Sequence, residues 1–199
     1  MIVATDGSCL SNPDGPTGWA WVADDGRWRA GAITTGTNNI GELWGVLAAL
    51  RDHPATDLTI QTDSAYALTC IDQRRTWEAA GWRTKTGAPV ANRGLVRAID
   101  TLIKMRQSPP QFVKVQGHDT RRRWPLNEHA DTKAGWAARE AKAGRVGESS
   151  GQLPLRAVAQ PRTPPAHAQR GSARPRAAIL GWCDVCGRPV DMGGRCGCS

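Results

Sequence analysis

The order in which hydrophobic periodicity changes along the chain restricts its fold more than any other feature. Three short runs near the start, "MIVATDGS", "TGWAWVAD" and "RWRAGAIT", alternate apolar and polar residues, and an Asp24-Asp25-Gly26 turn signal separates the second from the third. They predict three strands in an antiparallel meander. From Asn39 the period lengthens: "NIGELWGVLAALRDH" places Leu43, Val46, Leu47 and Leu50 at the spacing of an amphipathic helix. Strand-like "DLTIQTD", helical "SAYALTCIDQ", helical "RGLVRAIDTLIKMRQ" and strand-like "QFVKVQGH" follow, and Pro125 opens an Ala-rich helix through about residue 141. Strands separated by helices need crossover connections, so the sheet is mixed, antiparallel first and parallel later, in an α/β domain.

A chain of 199 residues can form one good-sized domain and carry an appendage. Composition divides it into a globular part at 1–143, a basic linker at 144–178 and a short cysteine-rich module at 179–199. The linker holds five of the 13 prolines, no aromatic residue and no acidic one after Glu148, a composition expected to remain disordered. No basic n-region with an apolar core opens the sequence, and no run is long enough to span a membrane. The expectation is a soluble, cytoplasmic protein, most simply a monomer.

Two strands end in carboxylates, Asp6 in "VATDGS" and Asp63 in "TIQTDS". A single Asp there is commonly a turn former or helix cap, but the C-terminal ends of strands are also where open α/β sheets bind ligands. Glu42 and Asp131 are harder to assign to a surface. Glu42 lies at the edge of a buried helical stripe with Val46 and Ala49, and Asp131 shares a row with Asn127 and Ala134 beside Leu126, Ala130 and Ala137. Carboxylates gathered this closely repel one another and lose hydration, so the cluster predicts cations. An all-oxygen donor set favours Mg²⁺ or Mn²⁺ over zinc, and two such ions about 4 Å apart suit phosphodiester hydrolysis.

The motifs "TDGS" (5–8), "TNNIGEL" (37–43), "TDSAY" (62–66), "QGH" (116–118) and "NEHAD" (127–131), in this order across residues 1–141, resemble type I ribonuclease H, the bacterial-type ribonuclease HI. That resemblance implies a five-stranded mixed sheet flanked by helices and endonucleolytic cleavage of the RNA strand of RNA–DNA hybrids. Two Mg²⁺ or Mn²⁺ ions would be held by Asp6, Glu42, Asp63 and Asp131, and the products would end in 5′-phosphate and 3′-hydroxyl. It makes His118 the family's mobile histidine, which serves in proton transfer or product release, and Asn12, Asn38 and Asn39 contacts to the hybrid's minor groove. As turn residues, Asn12 and Asn38 also have a purely structural explanation. The stretch 73–97 resembles the basic handle of bacterial members, with Trp77 and Trp82, basic Arg74, Arg75, Arg83, Lys85 and Arg93, and a phosphate-contacting Asn92. The alternative for either Trp is that it packs the handle onto the domain.

Three positions depart from the family pattern. Ala65 stands where Gln is common, Gln116 where Lys is frequent, and the segment "HDTRRRWPLNEHAD" is longer and richer in arginine than usual. These leave room for a nuclease acting on double-stranded RNA or another structured nucleic acid; a separate reading, a nucleic-acid-binding protein that has lost turnover, is opposed by the intact carboxylate set. The charge suits a polyanionic partner either way, with 26 basic residues against 18 acidic ones and Arg far outnumbering Lys. At the C-terminus, "WCDVCGRPVDMGGRCGCS" has C-x2-C-x9-C-x-C spacing, which predicts a structural zinc held by Cys183, Cys186, Cys196 and Cys198.

Overall fold

The computed structural model of the protein describes residues 1–159, 181–182 and 189–190. The chain begins with β1 (Ile2–Cys9), β2 (Gly15–Ala23) and β3 (Arg27–Gly36), followed by α1 (Asn38–Asp52). Next come β4 (Thr59–Thr62), α2 (Ala65–Ala79), α3 (Arg93–Lys104), β5 (Gln111–Lys114) and α4 (Pro125–Lys142). A further strand, β6 (Gly147–Gln152), and the one-turn helix α5 (Leu155–Val158) complete the first unit. The sheet order is β5-β4-β1-β2-β3-β6, with β1, β2, β3 and β6 paired antiparallel and β1, β4 and β5 parallel. In the second unit, β7 (Gly181–Trp182) and β8 (Pro189–Val190) form an antiparallel pair.

Alternation along the strands sorts side chains to the two faces. Val3, Trp19 and Trp21 meet Leu43, Val46 and Leu50 of α1 and Val96, Ile99 and Ile103 of α3 in the larger core. Ala4, Ala20, Val22 and Ala30 point the other way, towards Leu126, Ala130, Ala134 and Ala137 of α4. The small residues on this second face let the helix backbone lie close to the sheet. At Gly18 an added Cβ would sit 2.2 Å from the Ala134 carbonyl oxygen, and at Gly7 it would sit 2.1 Å from the Glu42 nitrogen. Only glycine permits both approaches, which set α1 at Glu42 against β1 and α4 just beyond Asp131 against β2.

The sheet has six strands where five are expected, and the sixth comes from the segment assigned to the linker. Gly147–Gln152 pairs with β3 in antiparallel register, Trp28 opposite Gly151 and Ala30 opposite Ser149. All six of its residues are exposed, so no apolar alternation marks them as a strand. The chain is then anchored by Val158, which is 1% exposed and packs with Ala4, Val22, Leu126 and Ala130. The remainder of the expected linker, from residue 160 to 178, and the four zinc-ligand cysteines lie outside the described residues. Among the described residues, no helix is long and apolar enough to cross a membrane.

Candidate active site

Three elements deliver three carboxylates to one place. β1 and β4 run parallel with Ala4 opposite Gln61, so continuing the register by two residues sets Asp6 level with Asp63. Thr37 caps α1 through its side-chain oxygen, which accepts the Ile40 N–H, and thereby fixes the start of the helix from which Glu42 projects. Ser64 caps α2 in the same way, accepting from Ala67, and this fixes the chain just after Asp63. Asp6, Glu42 and Asp63 each offer an oxygen within 4.8 Å of the others. Asp131, on the α4 face, adjoins Asp6 closely enough to raise its pKa by charge and by a shared hydrogen bond.

The electrostatics are those of an uncompensated cluster. Burial first, then the charges of Asp63 and Asp131, hold the Asp6 carboxyl well above the ordinary carboxylate range. Glu42 is pushed up to about 10, again by burial first and then by Asp6 and Asp63, with the Gly7 N–H offsetting this only in part. One Glu42 oxygen, Oε2, is buried without a hydrogen-bond partner, and so is Oδ1 of Asn127, whose Nδ2 lies 3.5 Å from Asp63. Hard oxygen donors, buried and unpartnered among like charges, fit a divalent cation.

His118 is exposed in the β5–α4 loop and has a left-handed backbone with φ 48°. Its neighbour Gly117 passes directly behind Asp63, where a Cβ would lie 2.1 Å from Oδ2. Asn12, Asn38 and Asn39 are exposed around the start of α1. The Asn12 side-chain oxygen accepts the Asn38 N–H, and the Asn38 side-chain oxygen accepts the Cys9 N–H, so their amide groups are held in fixed orientations. Asn92, also left-handed, donates through Nδ2 to the Tyr66 hydroxyl at 2.8 Å.

In the handle, Trp77 and Trp82 are half-buried and pack against the larger core, with Arg97 over the Trp82 ring at 5.8 Å. Arg74 turns inward to buried Asp100, while Arg75, Lys85 and Arg93 remain exposed. Sequence patterns did not single out Asp119, 6% exposed one residue beyond His118, or its partner Arg123. Their i,i+4 spacing is an available signal, but it predicts pairing only on a helix, and this segment is a loop.

The RNase H family model matches residues 1–139. A ribonuclease H of Tropheryma whipplei (strain Twist) is 39% identical over 143 residues, 69% of this chain and 84% of that protein. Ribonuclease HI of Streptomyces coelicolor is 40% identical over 145 residues, again 69% of this chain but only 61% of the longer relative. Among solved structures, LC9-RNase H1, a type 1 RNase H with the type 2 active-site motif, superposes with a TM-score of 0.58 at 25% identity, covering 78% of this chain and 79% of that one. Sequence, fold and acidic cluster thus agree, and the chain belongs to the RNase H family and is an enzyme of that family.

Proposed function

We propose that the protein cleaves the RNA strand of RNA–DNA hybrids internally, by a two-metal-ion mechanism that leaves 5′-phosphate and 3′-hydroxyl ends. The observation that carries this reading is the convergence of Asp6, Glu42 and Asp63 within 4.8 Å, with Asp131 beside Asp6. Mg²⁺ or Mn²⁺ ions bound there supply an activated water and neutralise charge on the leaving oxygen. The chain itself provides the mount. Asp6 sits on a central strand with neighbours on both sides, so its carboxylate has little freedom to relax away from the others.

His118 stands on the exposed loop beside Asp63, where an imidazole can take up or release a proton at the departing product. Asn12, Asn38 and Asn39 offer oriented amides to base edges and 2′-hydroxyls in the minor groove. Asn92 and the exposed basic residues of the handle meet phosphates of the DNA strand, and Trp77 and Trp82 support that surface from beneath. In the tail, Cys183, Cys186, Cys196 and Cys198 hold a structural zinc, which metal analysis of the reduced protein checks by finding about one zinc per chain.

The test is cleavage of sequence-matched RNA–DNA, RNA–RNA and DNA–DNA duplexes with Mg²⁺, with Mn²⁺ and with chelator. Only the hybrid is cut, only with metal, and Asp6→Asn or Asp63→Asn abolishes cutting while the hybrid still binds. Equal cutting of double-stranded RNA overturns the substrate assignment, and substantial activity in either variant overturns the site.

A further inference from the structure

The loop between β5 and α4 is held by an internal clamp that the reaction chemistry does not itself require. The Asp119 side chain is 3% exposed, although the residues on either side of it are on the surface. Its Oδ1 accepts the Arg121 backbone N–H at 3.2 Å, and its Oδ2 accepts the Arg123 backbone N–H at 3.0 Å and the Arg123 Nε–H at 2.8 Å. The Arg123 guanidinium then donates to Gln116 Oε1 at 2.7 Å, closing a ring that spans the whole loop from its first residues to its last. The Arg123 side chain, whose Nη2 also lies 3.4 Å from Oδ1, and then the Arg123 and Arg121 backbone N–H groups hold the carboxyl down at about 2 against the opposing effect of burial.

The ring encloses His118. On one side of the histidine, Gly117 abuts the Asp63 carboxylate; on the other, Asp119 anchors the chain. Two residues in the loop, His118 and Arg122, have left-handed backbones, with φ 48° and 50°. Such a conformation is disfavoured for side chains of this size and persists only where surrounding bonds impose it. Gln116 and the arginine-rich segment that supplies Arg123 also stand out in the sequence, Gln116 for its place where Lys is frequent and the segment for its length and arginine content.

We propose that Asp119, with Arg123 and Gln116, is a positioning residue that holds the backbone at His118 beside the Asp63 edge of the active site while leaving the imidazole free to turn. The proposal rests on the role given to His118 above. The hydrogen bonds of Asp119 go to Arg121 and Arg123 and not to the acidic cluster; it acts by removing the loop's freedom to carry the histidine away, and correct placement of one reacting group is commonly worth large factors in rate.

Steady-state cleavage of a defined hybrid by the full chain, combined with a double-mutant cycle, tests this. Asp119→Ala and the near-isosteric Asp119→Asn each lower kcat about ten-fold while KM stays within about two-fold, the pattern of lost positioning rather than lost binding. Introduced into His118→Ala, either substitution lowers kcat no further, because the group being positioned has gone. Arg123→Lys, which keeps a cation at the carboxylate, recovers part of the activity lost in Arg123→Ala. Circular dichroism and urea midpoints confirm that the variants are folded. Unchanged kcat in the Asp119 variants, or losses that multiply with that of His118→Ala, overturns the clamp while leaving the histidine's role intact. Unchanged kcat in His118→Ala removes the histidine's role and the clamp with it, and Asp6→Asn still tests the carboxylate site independently.

Discussion

Glu42 shows how far a single residue can be driven from its ordinary chemistry by position. With its folded-state pKa at about 10 and an ordinary value of 4.5 in the unfolded chain, the metal-free folded protein retains a proton that the unfolded chain releases. Folding is therefore favoured by this group at low pH, and that contribution is lost as pH rises from about 4.5 towards about 10. Glu42→Gln, which cannot ionise, is expected to raise the melting temperature of the metal-free protein near neutral pH by about 2 to 4 °C for each kcal/mol relieved, with the gain growing as pH rises. Mg²⁺ should stabilise the unmutated protein most at high pH, where the carboxylates it binds are charged. Thermal melts in chelator and in Mg²⁺, from about pH 5 to about pH 9, check both. A metal-free protein that becomes more stable with pH across this range contradicts the assignment.

The four carboxylates were legible in the sequence because each breaks a local rule, a charge at the edge of a stripe or strand that should bury apolar atoms. Asp119 breaks none. It is a polar residue in a polar loop, and its burial accompanies left-handed turns at His118 and Arg122 that composition does not announce.

At the scale of elements, the strands and helices with strong periodicity form where the sequence places them, although α2 runs on to Ala79 and β5 stops at Lys114. The one strand before residue 160 that the sequence does not announce is β6. "GESSGQ" lacks a hydrophobic face, yet it is a strand because β3 leaves backbone groups on its outer edge that need partners. Arg51 reinforces it with two bonds to Glu148, at 3.1 and 3.0 Å, but both side chains are about 40% exposed and such a pair adds little. The stronger tie is Val158, whose burial on the α4 face contributes about 1.5 to 3 kcal/mol. The family match ends at residue 139, but the folded unit does not. Truncation after residue 143 is accordingly expected to lose about 3 kcal/mol or more in urea denaturation through the missing valine and strand pairing. Truncation after residue 162 should leave the midpoint unchanged. Equal midpoints for the two truncations would show that β6 and α5 add nothing.

The whole molecule carries a formal net charge of +8, and its distribution decides how it meets a polyanion. The stretch 74–106, which includes most of the handle, has eight basic residues against two acidic ones, and the segment beyond residue 162 has five against two. Two basic regions on one chain can engage the same nucleic acid, and engagement of the first raises the effective concentration of the second. Each phosphate neutralised by the tail should steepen the dependence of log affinity on log salt by about 0.7 to 0.9. Comparing the full chain with residues 1–162, both carrying Asp6→Asn and both in chelator, isolates that contribution from cleavage. The truncated protein is expected to bind the hybrid more weakly at low salt, with a slope shallower by about one to three, and the two affinities should converge as salt rises. If the tail instead docks a protein partner, the two forms will bind the hybrid identically at every salt concentration, and the excess charge beyond residue 162 has no part in holding substrate.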